Sequence, residues 1–230
     1  MGGLAQRDVV AVLTRAPSAG GKSRLFAELG IPPDAALLEA LLLDTIDALP
    51  SESATRVVVV EPASHCGDVR ALVPDDVVVM PQREGALGER MAAVMRTVLD
   101  SGARAIAVVG SDLPALRASS ITRAFALLHD DPTSVVLGPA ADGGYYLIAA
   151  AYVPDLFADV EWGTERVLEQ TRTRAEKVGI HLHLVDTTFD IDTVADLVLL
   201  LRFAADQAGP RGVGFRTREW ARERGISTGK

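Results

Sequence analysis

Cysteine is almost missing from this chain: Cys66 stands alone, so no disulfide can form within the molecule and no thiolate zinc cluster can be assembled. With only His65 beside it, Cys66 reads as a bystander thiol. No run approaches the roughly 18 apolar residues of a membrane span, and Met1 to Asp8 form neither the charged nor the apolar part of a secretory leader. A basic excess is missing too. Lys and Arg total 23 against 31 Asp and Glu, a formal net charge of -8. A general nucleic-acid binder needs a basic face, so that class is disfavoured, although a local basic pocket for one nucleotide is not. The four histidines form no H-E-x-x-H pattern; His181 and His183, on one face of one strand, are the only hint of zinc. No serine or cysteine elbow is present, which disfavours covalent hydrolase chemistry. Neither an internal repeat nor a linker divides the chain. The expectation is a cytoplasmic protein with one domain over 1–230, a core at 8–205 and a C-terminal extension, frayed at its end, at 206–230.

What remains is ordinary globular composition, 48% hydrophobic and 23% charged. Apolar runs at Asp8 to Thr14, Thr55 to Val60, Val77 to Met80, Arg104 to Val109, Ser134 to Leu137, Tyr145 to Ala149 and Ile180 to Val185 read as strands. Helical spacing predicts helices over Ala35 to Leu49 behind an Asp34 cap, Leu87 to Leu99, Ser119 or Ser120 to about His129, Thr164 to Lys177 with Thr164 as cap, Val194 to Ala205, and near Arg216 to Arg222. This alternation predicts an α/β fold: a Rossmann-like, mostly parallel central sheet with helices on both faces. In such sheets ligands lie beyond the carboxyl ends of the strands.

The unusual polar clusters fall at those ends. After the first strand comes Ala16-Pro17-Ser18-Ala19-Gly20-Gly21-Lys22-Ser23-Arg24. Gly20 and Gly21 let backbone approach an anion, and Lys22 and Arg24 supply charge for phosphates. The loop is not a Walker A motif, because position 16 is Ala where G-x-x-x-x-G-K-[ST] needs Gly. Gly110-Ser111-Asp112-Leu113-Pro114 closes a core strand and presents Asp112 to a hard cation, Mg²⁺ or Mn²⁺; a helix cap is the plainer role. In Gly138 to Tyr146, Asp142 between small residues, with Gly143 and Gly144, suits contact with a ligand, or simply a tight turn. Asp190 and Asp192 share one side of an extended stretch by the period of two, where a cation between them would offset their repulsion. Alternatively Asp192 or Thr193 caps the following helix with help from Asp196. Gly88 and Arg90 begin a helix where the arginine could meet an anion, and Trp162 either lines an acceptor site or is ordinary packing.

As a set, these stretches resemble a bacterial family of glycosyltransferases of the arsenosugar-biosynthesis type, formerly a domain of unknown function. The matching segments are Ala16 to Leu25, Leu87 to Met91, Gly110 to Leu116, Gly138 to Ile148, Glu161 to Thr171 and Asp190 to Leu197. The chain is similar, more distantly, to the guanylyltransferases of coenzyme F420 and molybdenum-cofactor biosynthesis. The resemblance implies a GT-A fold of the nucleotide-diphospho-sugar transferase superfamily. It implies Asp112, with Asp190 or Asp192, as ligands of Mg²⁺ or Mn²⁺, and Lys22 and Arg24 as phosphate contacts. Asp112, Asp142 and Asp190 are the candidate catalytic residues. Ala16, Pro17, Gly20, Gly21, Lys22, Arg24, Gly88, Arg90, Ser111, Gly143 and Gly144 are the candidate nucleotide-binding ones. One departure stands out: GT-A glycosyltransferases usually carry Asp-x-Asp, whereas Gly110 to Pro114 holds one aspartate. The first expectation, carried by the family resemblance, is a metal-dependent glycosyltransferase moving a sugar from a nucleotide-sugar to a small acceptor; the single aspartate and the early basic loop leave nucleotidyl transfer open. The second is a nucleotidyltransferase joining an NTP to a phosphorylated small molecule, and the third a non-catalytic nucleotide-binding protein.

Overall fold

A computed structural model of the chain describes residues 6–205 and 212–227. Strand β1 (Asp8–Arg15) is followed by α1 (Ser23–Leu29), α2 (Ala35–Asp47), β2 (Ala54–Glu61), α3 (Cys66–Leu72), β3 (Val78–Pro81) and α4 (Leu87–Asp100). Then come β4 (Ala105–Gly110), α5 (Ala118–Asp130), β5 (Val135–Pro139), β6 (Tyr145–Ala150), α6 (Val167–Val178), β7 (Leu182–Leu184), α7 (Val194–Ala205) and α8 (Phe215–Glu223).

The strands form one seven-stranded sheet in the order β3-β2-β1-β4-β6-β5-β7. Both neighbours of β1 run parallel to it, and only β6 is antiparallel to its neighbours, β4 and β5. The apolar strands are buried on both sides. Val10 and Val12 face Leu42 and Ile46 of α2, Val69 of α3 and Phe125 of α5. Val9 and Ala11 face Met95 and Val98 of α4 and Ala175 of α6. This is the α/β architecture that the strand–helix alternation predicts.

From β1 the chain works outward to β3, then crosses back to lay β4 on the other side of β1. Strand order therefore reverses between β1 and β4, whose pairing ends at Leu13 and Gly110. The crevice at such a reversal is where open α/β sheets hold ligands. The loops carrying Lys22 and Asp112 leave from this point.

A third apolar cluster lies to one side, where Leu25 and Phe26 of α1, Leu37 and Leu41 of α2, Leu197 and Leu200 of α7, and Trp220 of α8 meet. Helix α8 is clamped onto α2 by carboxylates. Buried Asp44 accepts from Arg216 N (3.0 Å), Thr217 N (2.8 Å) and Thr217 Oγ1 (2.8 Å). Asp34 caps α2 through Ala36 N (3.0 Å) and also accepts from Trp220 Nε1 (2.9 Å).

Several boundaries differ from expectation. Helices α1 and α3 are short, with too few turns to set up a period. Helix α5 begins at Ala118, ahead of the expected serines, and Ser120 is buried against the core. Helix α6 begins at Val167, with Arg166 at its cap position; Thr164 lies in the turn before it, donating to Glu161 O (2.8 Å). The expected helix near Arg216 to Arg222 is α8. The frayed end expected of the extension falls on 228–230, and that stretch, like 206–211, lies outside the described residues. No described helix is long and apolar enough to cross a membrane.

Candidate functional site

Asp112 sits just past β4, and its backbone is gripped from two directions. The buried hydroxyl of Thr45, on α2, donates to Ser111 O (2.9 Å) and accepts from Leu113 N (3.1 Å). Asp112 O accepts from Ile191 N (3.1 Å), and Ser111 Oγ donates to the Asp112 carboxylate (3.1 Å). Neither a turn-forming glycine nor a helix cap accounts for this placement. Gly110 has no positive φ, and a Cβ there would meet nothing within 4 Å. Gly110 is exposed and lines the adjoining cavity, and the cap of α5 is Arg117.

Lys22 completes the pair. It caps α1 in the left-handed conformation (φ 51°), which turns its side chain back over the strand ends. Its Nζ lies 2.6 Å from Asp112 Oδ2 and is ion-paired with Asp192, leaving the lysine side chain only 11% exposed. Burial on its own would lower the ammonium's pKa, but the charges and hydrogen bonds of Asp112 and Asp192 hold it above the ordinary value. Lys22 thus sets an ammonium between the carboxylates of Asp112 and Asp192.

The alternation read across Asp190 to Asp192 holds in three dimensions. Ile191 is fully buried in the third cluster, and the two carboxylates lie to the other side. Asp192 is free of capping duty, because Thr193 and Asp196 cap α7 between them: Asp196 accepts from Thr193 N (2.8 Å) and Thr193 Oγ1 accepts from Asp196 N (3.3 Å). Burial, and then the charge of Asp192, push the Asp190 carboxyl up to about 6; Lys22 opposes this and Asp142 adds to it. Negative charge at this edge therefore exceeds what one ammonium neutralises. Among the described residues, Asp112, Asp190 and Asp192 do not bring their ligand atoms together as a closed set of three.

Two hollows flank Asp112, and it lines both. The first, about 390 Å³, is walled by Thr14, Gly20, Gly21, Lys22, Arg24, Ser111 and Asp192. The second, about 320 Å³, is walled by Arg90, Asp142, Tyr145, Tyr146, Trp162 and Asp190, with Gly110 and Gly144 also lining it. Among the described residues, Arg90 is the only basic one on that second wall, and it is paired with Glu61 (3.0 Å).

The remaining candidates serve these walls in different ways. Ala16 and Pro17 are buried beneath the first loop, with Ala16 N bonded to Glu61 O (2.7 Å). Gly20 holds φ 76° with ψ near 180°, a region open only to glycine. Ser18 ties this loop to α3 by donating to Asp68 (2.7 Å), beside His65 (2.8 Å). Arg24 is largely exposed and leans on Glu28 (3.2 Å). Gly88 is a packing residue, since a Cβ there would lie 2.8 Å from the Trp162 ring. Gly143 passes so close to Glu165 that a Cβ would stand 2.2 Å from its carbonyl oxygen. Asp142 is exposed and accepts from Gly144 N (2.9 Å), so it forms the turn while adding charge to the site. Trp162 both packs, edge-on to Tyr145 at 6.1 Å, and lines the second hollow.

Sequence reasoning missed Thr45, hidden within an apolar helical stripe. It also missed Asp131, which approaches His181 and His183 so that one ligand atom from each lies within 4.8 Å of the others. Cys66 is half-buried, and burial pushes its thiol pKa up, as befits a bystander.

Among solved structures, the chain is similar to a protein from Desulfovibrio desulfuricans described as a nucleotide-diphospho-sugar transferase. The TM-score is 0.84 at 24% identity, covering 96% of this chain and 99% of that one. It is similar to a cytidylyltransferase from Leptospira borgpetersenii at a TM-score of 0.58 and 12% identity, covering 96% and 95%. These likenesses establish the GT-A-related, nucleotidyltransferase-like fold. In sequence the chain is 30% identical over 199 residues to the 3-phospho-D-glycerate guanylyltransferase of Phenylobacterium zucineum, covering 84% of this chain and 89% of the relative. None of this supports the narrower arsenosugar-type assignment or the F420 and molybdenum-cofactor likeness. It supports a transferase that handles nucleotides, and nucleotidyl transfer better than glycosyl transfer. A family model matches residues 45–164, and the chain belongs to that family, described as "Uncharacterized protein conserved in bacteria (DUF2064)".

Proposed function

We propose that this chain is a nucleotidyltransferase that joins the nucleotidyl group of an NTP to a small phosphorylated acid and releases pyrophosphate. The observation that carries the reading is the shared position of Asp112 between two hollows, one walled by Lys22 and Arg24, the other by Arg90. A triphosphate in the first hollow and an anionic acceptor in the second would meet beside Asp112. The relative that acts on 3-phospho-D-glycerate and carries a guanylyl group suggests GTP and that acid as first substrates to try. One domain would then suffice for the whole reaction.

The chemistry asks little covalent work of the protein. An acceptor phosphate oxygen attacks the α-phosphorus, the bond to the α–β bridging oxygen breaks, and pyrophosphate leaves. A phosphate monoester is largely ionised at neutral pH, so no general base is needed. What matters is positioning and offsetting charge. Lys22 would leave Asp112 and Asp192 for the triphosphate, and Arg90 would turn from Glu61 to the acceptor. The residues fit a divalent cation: oxygen donors in excess of the local positive charge, with the Asp190 carboxyl raised to about 6 by burial first and by the charge of Asp192 second. Asp112, with Asp190 or Asp192, would hold Mg²⁺ or Mn²⁺, which would neutralise phosphate charge as the leaving group departs.

Glycosyl transfer is the weaker reading, since Gly110 to Pro114 lacks the second aspartate. Pyrophosphate release from GTP, dependent on 3-phospho-D-glycerate, is the expected result, with Asp112→Asn lowering turnover by about 10² or more while the fold survives. Sugar release from a nucleotide-sugar without pyrophosphate production from any NTP would overturn the reading. Nucleotide binding with neither reaction would favour a non-catalytic role.

A further inference from the structure

The opposite end of the sheet carries a second group of potential ligands. Strand β7 is the sheet's edge, and its period of two places His181, just before it, and His183 on one side. Their rings meet edge-on at 4.4 Å. Asp131 ends α5 and faces them. One of its oxygens, Oδ1, accepts from Thr133 N (3.0 Å) and Thr133 Oγ1 (2.6 Å), which leaves Oδ2 turned to His181 Nδ1 at 3.8 Å.

These partners are held in place before any ligand arrives. Val135 N donates to His181 O (3.0 Å), fixing the histidine strand to the start of β5. Ser134 N donates to Asp131 O (3.2 Å), and Tyr152 Oη donates to Thr133 O (3.0 Å), fixing the turn between Asp131 and β5. Hydrogen bonds from Thr133 keep the Asp131 carboxyl below its ordinary range, so it is a charged donor at neutral pH. One ligand atom from each of the three residues lies within 4.8 Å of the others, and modest side-chain rotation would close them on one ion.

We infer that Asp131, His181 and His183 form a binding site for a divalent transition-metal ion of the Zn²⁺ class, separate from the nucleotide site. Two imidazole nitrogens and one carboxylate oxygen are the donor set that Zn²⁺, Co²⁺ and Ni²⁺ accept, whereas Mg²⁺ prefers oxygen alone. Three protein ligands leave positions for water. The site joins the amino ends of β5 and β7, whereas Asp112 follows the carboxyl end of β4. A bound ion would pin the short edge strand to the α5–β5 turn and stabilise the folded chain.

The test uses the untagged full-length chain stripped with EDTA. Co²⁺ is titrated while visible absorption is followed, and Zn²⁺ by calorimetry, with Mg²⁺ in excess. One ion per chain is expected, with a rise in the thermal midpoint that Mg²⁺ alone does not produce. His181→Gln and His183→Gln should each weaken binding more than about tenfold. His181 is exposed, so its variant keeps the fold, as circular dichroism would verify. Asp155→Asn, at an exposed carboxylate outside both sites, should leave Co²⁺ binding unchanged. Absence of Co²⁺ and Zn²⁺ binding, full binding in the His181→Gln/His183→Gln double variant, or loss of binding in Asp155→Asn would each overturn the assignment.

Discussion

Asp190 is the group whose titration reports on the carboxylate cluster around Lys22. Its carboxyl is raised to about 6 from an ordinary 3.8, by burial first and by Asp192 second. Between those values the folded chain holds this proton and the unfolded chain does not. Stability from this group is therefore present at low pH and lost as pH rises through about 6. Asparagine imitates the protonated form. Asp190→Asn should be more stable than the parent at pH 7.5, and the gap should close towards pH 4. Urea unfolding at several pH values measures this; a gap that does not change with pH would mean that Asp190 is not perturbed in the folded chain. The residue types at this site were legible in the sequence because charged side chains at the ends of apolar strands stand out. Their partners were not. Lys22 and Asp192 are 170 positions apart, and no local pattern connects them.

Helix α2 joins core, site and C-terminal helix, and its polar residues separate those roles. Thr45→Val keeps the shape but leaves Ser111 O and Leu113 N without their partner, at a cost of about 1–3 kcal/mol. Because the hydroxyl positions Asp112, kcat should fall while nucleotide affinity is largely kept, and Thr45→Ser should restore both stability and kcat. Equal losses in Thr45→Val and Thr45→Ser would mean that packing alone is at stake. Asp44→Ala removes the acceptor for the first turn of α8 and should cost about 2–3 kcal/mol in chemical denaturation. Asp47→Ala, which breaks only an exposed contact with Arg216, should change stability by less than about 1 kcal/mol. Similar values for the two would show that α8 is not held through Asp44. Long elements such as α2, α4, α5 and α7 were legible from their period. Short α1 and α3 were not, because seven residues give too few turns for a period to show.

For the whole molecule, the division of the site into two hollows predicts separable ligand effects. A ligand that binds only the folded state raises apparent stability. GTP with Mg²⁺ should raise the thermal midpoint, Lys22→Ala should remove most of that rise, and Arg90→Ala should spare it while weakening the effect of the acceptor. An unchanged GTP response in Lys22→Ala would place the triphosphate elsewhere. The sequence by itself determined the class of the fold, since hydrophobic period is set by neighbours in the chain and records which face of each element is buried. It also marked the strand ends as the edge where the polar clusters gather, because glycine, proline and charge interrupt apolar runs there. Only the tertiary structure decided that Lys22 lies between Asp112 and Asp192, that Thr45 fixes the Asp112 loop, and that Asp131 joins two histidines at the far edge. Each of these depends on distances between elements, and those distances follow from strand order in the sheet, which no local pattern encodes.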